Sequence, residues 1–413
     1  MNGGRHAQRP GGSYRQGLVD QRILESVRRK AIQSGGNLDP IALAEAVTEA
    51  GTAWGSTGSA QTLQNLRDEV QGLSVLEQFA TLPGVSDVLV DGRGQVWTDS
   101  AQGLRLTGFS FSSAEQVRRL AVHFASLAGK RLDEAMPFVD VSVRGYRIHA
   151  VLPPVAVQGP VISIRVKQAA GRGLDQLLGA AHRWWQPLLQ AVVSTEQNFL
   201  VTGGTGSGKT TLLQAMLGLV DSGQRLVIVE DTHELQVEHE HVVSLQARLP
   251  NAEHRGEVRL SDLVIQALRM RPDRLIVGEC RGAEVRDFLA AMNTGHQGAA
   301  GTIHANDPGA VPARLAALGA LAGWDPQATA LQASSALDLL IHMARGPDGS
   351  RAPVKLSRLF LGETQQMRTQ PLIDASLHDP LLPGTESWLK ERFGAATVET
   401  ILQALYRRPG SAT

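Results

Sequence analysis

The sequence predicts an α/β fold in which a parallel-sheet domain follows a smaller α+β domain. Three observations carry this. From Leu174 onward, short apolar runs (Phe199–Val201, Leu226–Val229, Leu275–Val277) alternate with helical stretches at 209–219 and 261–270. Such runs are strands buried on both faces of a parallel sheet. Before Leu174 the texture is that of hairpins around one helix, which marks an α+β unit. Between the two, residues 167–173 carry two glycines and little apolar content, and they read as a linker.

Taken in order, residues 1–19 are rich in Gly, Arg, Gln and Ser with almost nothing to bury, a disordered tail. A helical lead-in is expected over 20–69, where Ile23, Leu24 and Val27, then Leu63 and Leu66, recur at helical spacing. The α+β domain spans 70–166. Ser86–Val90 and Gln95–Thr98 flank Asp91-Gly92-Arg93-Gly94 as a hairpin, and a helix follows from Ser113 to Leu127. Strands are expected at Val139–Val143, Arg147–Leu152 and Val161–Val166, the first two joined across Arg144-Gly145. The second domain runs from 174 to 363. Beyond Asn306 it reads as helical at 309–321 and 326–341, with a hairpin over 339–361 turning on Gly346-Pro347-Asp348-Gly349. A mostly helical tail, 364–413, carries no recognisable chemistry.

Composition narrows the classes. At 413 residues the chain has ample length for two or three domains with real cores. Forty basic and forty acidic residues cancel to a formal net charge of +0, so there is no global attraction to nucleic acid or to an anionic membrane. One cysteine, Cys280, excludes an internal disulfide framework and a multi-cysteine zinc site, and fits a reducing cytoplasm. The first residues lack the apolar core of a signal peptide, and no run of about eighteen apolar residues occurs to span a bilayer. Work at a membrane would therefore need recruitment by other proteins.

Residues Gly203–Thr210 read Gly-Gly-Thr-Gly-Ser-Gly-Lys-Thr, between a short apolar strand and the helix formers Thr211–Leu217. Strand, glycine loop and helix make a phosphate-binding loop. The glycines let backbone N–H groups turn inward at a polyphosphate, and the helix start adds partial positive charge. Lys209 reaches the β- and γ-phosphates, and the Thr210 hydroxyl can ligate Mg²⁺. The expected binding set is Gly203, Gly204, Thr205, Gly206, Ser207, Gly208, Lys209, Thr210 and Thr211. A glycine turn that merely precedes a lysine is the plainer reading, and both flanks argue against it. A nucleoside triphosphate is the expected ligand.

Hydrolysis needs carboxylates to hold Mg²⁺ and to align water. Two of the apolar runs end in acid: Leu226–Val229 in Glu230-Asp231, with Glu234 shortly after, and Leu275–Gly278 in Glu279. Ligands of an open parallel sheet gather at the carboxyl ends of its strands, so both acids are delivered to the loop's edge. Further on, Thr294–Gly298 and Gly301–Asn306 set glycines around His296 and His304. Imidazoles beside phosphates are one reading; satisfied structural histidines are the other. Zinc is disfavoured, because the eight-residue gap between them is neither a helical nor a hairpin ligand spacing. The basic run Arg269–Arg274 suits a helix C-terminus better than nucleic acid, since Asp273 dilutes it.

Together these segments resemble the type II/type IV secretion ATPase family, most closely its Tad (tight-adherence, CpaF-like) pilus branch. The resemblance rests on the loop Gly203–Thr210, the acidic box Val229–Leu235, and Ala267–Arg274 leading into Val277-Gly278-Glu279. It rests also on Ala291–His296 through Thr302–Asn306, and on Gly129–Glu134, Tyr146–Pro154 and Gly159–Arg165 in the first domain. It covers about 70 to 345 of the chain. It implies a P-loop NTPase (RecA-like) C-terminal domain behind a sensor-like N-terminal domain. It gives Arg147 and Arg165 the role of arginines that reach the γ-phosphate as the N-terminal domain closes. Glu230 and Glu279 become the carboxylates of the acidic box and the Walker B strand, with the general base left open between them. His304, and more weakly His296, become γ-phosphate-side residues. Mg²⁺ falls to Thr210 and Glu279, with Glu230 and Asp231 nearby. Gly278, where many phosphate-loop enzymes carry a magnesium-binding Asp, is ordinary for the family. Cys280 stands where an aliphatic residue is expected, and reads as a small buried hydrophobe.

The resemblance implies a cytoplasmic Mg²⁺-dependent ATPase, hexameric, peripheral at the inner face of the membrane. Its partner there would be an inner-membrane pilus-assembly or secretion platform. Two other readings stand beside it. One is a conjugation or DNA-transport motor of the same family, against which the neutral charge weighs. The other is a nucleotide-gated scaffold with little turnover, against which the paired glutamates, histidines and arginines count.

Overall fold

The computed structural model describes residues 72–407, apart from 101, 167–172, 249, 251–254 and 347–348. The expected tail, the helical lead-in, the linker at 167–172 and the turn residues Pro347 and Asp348 lie outside the described residues. The chain divides into two compact units, one ending at Lys167 and the other beginning at Gln168.

The first unit holds α1 (Glu77–Ala80), β1 (Val85–Val90), β2 (Gln95–Ser100), β3 (Arg105–Ser110), α2 (Ala114–Leu127), β4 (Phe138–Val143), β5 (Tyr146–Val151) and β6 (Val161–Arg165). Its sheet runs in the order β3-β2-β1-β6-β5-β4, with every neighbouring pair antiparallel. Alternating apolar residues (Val88, Val90, Ile148, Ile162, Ile164) bury one face against Leu120 and Phe124 of α2. That helix starts where the Ser113 hydroxyl accepts the Gln116 N–H. Strand β3 was not expected: Gly108 interrupts it and Leu106 stays exposed, so it lacks the alternation of a buried strand.

The second unit begins with α3 (Leu174–His182), α4 (Gln186–Ser194), β7 (Phe199–Gly203), α5 (Lys209–Leu217), β8 (Leu226–Glu230) and β9 (Val242–Gln246). It continues with α6 (Leu260–Ala267), β10 (Arg274–Cys280), α7 (Glu284–Asn293), β11 (Ala300–His304), α8 (Val311–Leu321) and α9 (Pro326–Ala336). It ends with β12 (Leu339–Arg345), β13 (Arg351–Leu361), β14 (Met367–Asp374), α10 (Thr385–Phe393) and α11 (Ala395–Tyr406). The sheet order is β14-β13-β12-β7-β11-β10-β8-β9. Strands β12 to β9 in that order are parallel, and β13 and β14 add on antiparallel. Phe199, Val201, Ile228 and Ile341 pack in one core with residues of α3, α4, α5, α10 and α11. Leu200, Val227, Val277 and Leu340 pack in the other with α6 to α9. Helices on both faces are the reason these strands are apolar along most of their length. No helix among the described residues is long and apolar enough to cross a membrane.

The structure corrects two expectations and adds a strand. The helix expected over 326–341 stops at Ala336, and Leu339–Arg345 is the first arm of the expected 339–361 hairpin, paired on its other side with β7. Residues 300–304, for which no element was expected, form β11, inserted between β7 and β10. The region after 363 is not a tail. Its β14 extends the sheet, and Leu389, Phe393, Val398, Ile401 and Leu405 of its helices sit in the same core as Trp185.

Candidate nucleotide site

Strand β7 ends at Gly203 and α5 begins at Lys209, so the connecting loop crosses the carboxyl edge of the parallel sheet. Gly203 takes φ +151°, and a Cβ there would lie 2.5 Å from both the Met343 carbonyl oxygen and Ser207 Oγ. No other residue fits. Beside Gly204 and Gly206 the space where a side chain would stand is open, so a phosphate can reach the backbone. Ser207 Oγ is buried without a hydrogen-bond partner among the described residues. Lys209 Nζ donates to the carbonyls of Gly203 (3.1 Å) and Gly204 (3.0 Å). Burial pulls this ammonium below its usual pKa; Glu279 and Glu234 oppose the drop and Arg281 adds to it. An orphaned hydroxyl, an open glycine cradle and a half-buried cation together fit a polyphosphate. Thr210 and Thr211 occupy the first turn of α5 behind them.

The neighbouring strands end in the two glutamates, and their settings differ. Glu230 is 3% exposed. Its Oε1 accepts the N–H groups of Glu234 (3.0 Å) and Leu235 (2.9 Å), and its Oε2 lies 3.2 Å from His233 Nδ1. Burial raises the carboxyl pKa in spite of those bonds. Its Cγ would lie 2.7 Å from a Cβ on Gly278, which is why glycine, and no magnesium-binding Asp, stands there. Glu279, with 27% of its side chain exposed, accepts a 2.6 Å bond from Arg281 Nη2 and acts electrostatically on Lys209. Asp231 follows Glu230 on the surface. Among the described residues no three His, Cys, Asp or Glu side chains cluster to hold a metal. Mg²⁺ in a phosphate site needs no such cage, because one or two carboxylates, phosphate oxygens and waters complete its octahedron.

The histidines separate. His304, at the end of β11, pairs with Gly203 across the strands, and its Nε2 lies 2.9 Å from Thr205 Oγ1 of the loop. His296 lies at the opposite edge, contrary to expectation. Its ring bonds the Ala291 carbonyl, and Gly298 just after it bonds Glu196 ahead of β7. Within the basic run, Arg274 is a buried structural residue, bonded to Gln224 Oε1 (2.7 Å) and the Val193 carbonyl (2.9 Å). Cys280 is buried, and desolvation pushes its thiol well above the usual pKa.

Arg147 and Arg165 belong to the first unit, where they are direct cross-strand partners on β5 and β6. Arg147 makes a two-pronged pair with Asp140 (3.2 and 2.7 Å), and Arg165 Nε bonds Asp87 Oδ1 at 3.3 Å.

Three residues of the second unit escaped the sequence reading. Arg281 beside Glu279 could have been found from its two-residue spacing at a strand end. Thr202 and His342 could not: a lone histidine in an apolar run carries no signal until β12 is known to pair with β7.

A glycine loop joining strand to helix at the carboxyl edge of a parallel sheet, with its lysine and acid-tipped neighbours, defines a P-loop nucleotide-binding protein. Within that class, residues 69–368 match the Type II/IV secretion system protein family, and the chain belongs to that family. A protein of Mycobacterium tuberculosis (strain H37Rv) named for conjugal transfer is 48% identical over 318 residues, 74% of this chain and 90% of that one. Conjugal transfer protein TrbB of Rhizobium radiobacter is 32% identical over 226 residues, 53% of this chain and 67% of that one. Among solved structures, the pilus retraction motor PilT with bound ADP aligns over 81% of this chain and 89% of that one. Its TM-score is 0.51 at 19% identity, a likeness of fold.

Proposed function

We propose that this chain is a Mg²⁺-dependent ATPase, the oligomeric motor of a type II/IV-type transport machine at the inner face of the cell membrane. The observation that carries it is convergence on one loop. Lys209 lies within it, Glu279 acts on that lysine from β10, and His304 bonds Thr205 from β11. Loop amides and Lys209 bind the phosphates. Glu279, the more open carboxylate, orients the attacking water and takes its proton, with Arg281 fixing its direction. Glu230, committed to Glu234, Leu235 and His233, shapes the acidic segment around it. His304 and Thr205 face the γ-phosphate side. Thr210 would hold Mg²⁺, with Glu279, Glu230 and Asp231 nearby. An ion bound there would supply positive charge to offset that of the phosphate oxygens. Arg147 and Arg165 reach the nucleotide as the N-terminal unit closes, which makes nucleotide state a determinant of domain position. A hexameric ring is the assembly in which six such closures act in concert.

The test is a pair of variants. Lys209→Ala loses ATP binding in an equilibrium titration. Glu279→Gln binds ATP with near-normal affinity and loses about 100-fold or more in turnover. Normal hydrolysis by Glu279→Gln would remove its catalytic assignment, and absence of turnover in the wild type would leave a nucleotide-gated scaffold.

As to cargo, Tad-type pilus assembly is the reading the motifs support, and conjugal transfer is favoured by the relatives named for it. DNA stimulation of the ATPase that falls steeply with salt selects conjugal transfer. Lack of stimulation, together with capture of a pilus platform protein from membranes, selects pilus assembly.

A further inference from the structure

We infer that Thr202 and His342 form a positioning clamp that ties the base of the phosphate loop to the segment following His304. The inference rests on the nucleotide-site reading above. Strand β7 lies between β12 and β11. Thr202 is its last residue before Gly203, and His342 on β12 is its direct partner in the register. Their side chains meet in the interior, His342 Nδ1 at 2.7 Å from Thr202 Oγ1, with Thr202 0% and His342 6% exposed. The ring also lies close enough to the Asn306 backbone, two residues beyond His304, to be influenced by it, and its register partner Lys355 on β13 holds Asp307 at 3.0 Å. One position on β12 therefore bonds the strand that launches the loop and stands against the turn that follows the site histidine.

The chemistry suits a strut. Asp307, Lys355 and Lys209 are the charged groups that act on the ring. Burial lowers the imidazole pKa, so the ring is neutral at pH 7. With Nδ1 accepting the Thr202 hydroxyl, Nε2–H is left as the ring's donor. The neighbours Ile341 and Met343 are apolar and fully buried. An aliphatic residue at 342 would fit the sheet equally well, yet it would strand a buried hydroxyl. His342 touches no reacting group; it acts through Thr202 and Asn306.

The full chain is to be compared with Thr202→Val, His342→Ala, His342→Gln and the Thr202→Val/His342→Ala double variant. Thr202→Val keeps the shape and removes only the hydroxyl, so it reports even where His342→Ala folds poorly. In nucleotide-free protein, hydrogen exchange should rise together in peptides covering 202–210 and 304–308 for both single variants. In ATP turnover, kcat should fall about tenfold or more while KM for ATP stays within about twofold, because misplacement rather than lost contact is the defect. His342→Gln, which keeps an acceptor and a donor, should recover most of the loss, and the double variant should be no worse than His342→Ala. Unchanged exchange in either peptide, or independent additive losses, overturns the clamp. Absence of wild-type turnover would instead sink the ATPase reading, and the exchange measurement would still decide the clamp.

Discussion

Glu230 and Glu279 end neighbouring parallel strands, yet their surroundings give them different chemistry. The sequence placed both acids at the loop's edge, since an acid after an apolar run needs only the strand direction to be located. It could not rank them, because burial and turn hydrogen bonds come from residues 233–235 folding back. That difference has a pH signature. The folded Glu230 carboxyl has its pKa raised by burial, so the native state binds its proton more tightly than the unfolded chain does. Stability from this group is present below the unfolded carboxyl pKa and declines as pH rises through the folded value. Denaturant midpoints at pH 7 and pH 5 should therefore show the wild type gaining on Glu230→Gln at the lower pH. A constant difference between the two proteins would argue against the assignment. His342 was illegible for another reason: its partner is 140 residues away in sequence.

Strands β7, β8 and β10 were plain in the sequence because each is apolar at consecutive positions, a pattern that only two-sided burial requires. Strand β11 was hidden by the crowding of the sheet centre. Gly301 lies where a Cβ would come 2.7 Å from the Val277 carbonyl oxygen, so small residues replace the apolar run. Strand β12 was legible as the first arm of the 339–361 hairpin, but its boundary was blurred, since neither glycine nor proline separates it from α9. The helix is stopped instead by a long-range contact, in which Asp338 Oδ2 accepts the Asn198 N–H at 2.8 Å. Helices α10 and α11 looked like a tail because they carry no motif, but they complete one core of the second unit. Ile401, 1% exposed, is the test. Ile401→Ala should cost about 2–5 kcal/mol in denaturant unfolding. It should leave KM for ATP unchanged at temperatures where the variant stays folded. A cost near zero would mean these helices are dispensable.

At the scale of the whole chain, the two units carry different kinds of group: the second has the loop amides, a lysine and carboxylates, and the first has paired guanidiniums. Arg147 and Arg165 stand side by side across β5 and β6, each held by an acid of its own sheet. If they act on the nucleotide, Arg147→Ala and Arg165→Ala should keep ATP affinity and lose at least about tenfold in turnover. Single-turnover and binding assays separate the two quantities, and unchanged turnover in both variants removes the proposal. The formal net charge of +0 gives the molecule no general pull on DNA, so any stimulation by DNA must come from a local surface. The packing of Glu230 over Gly278 also reaches beyond stability. An Asp at 278, the residue many phosphate-loop enzymes use for magnesium, cannot be installed while the longer acid fills its place. The two positions are therefore coupled in space: any side chain at 278 requires Glu230 to shift or to be replaced by a shorter residue.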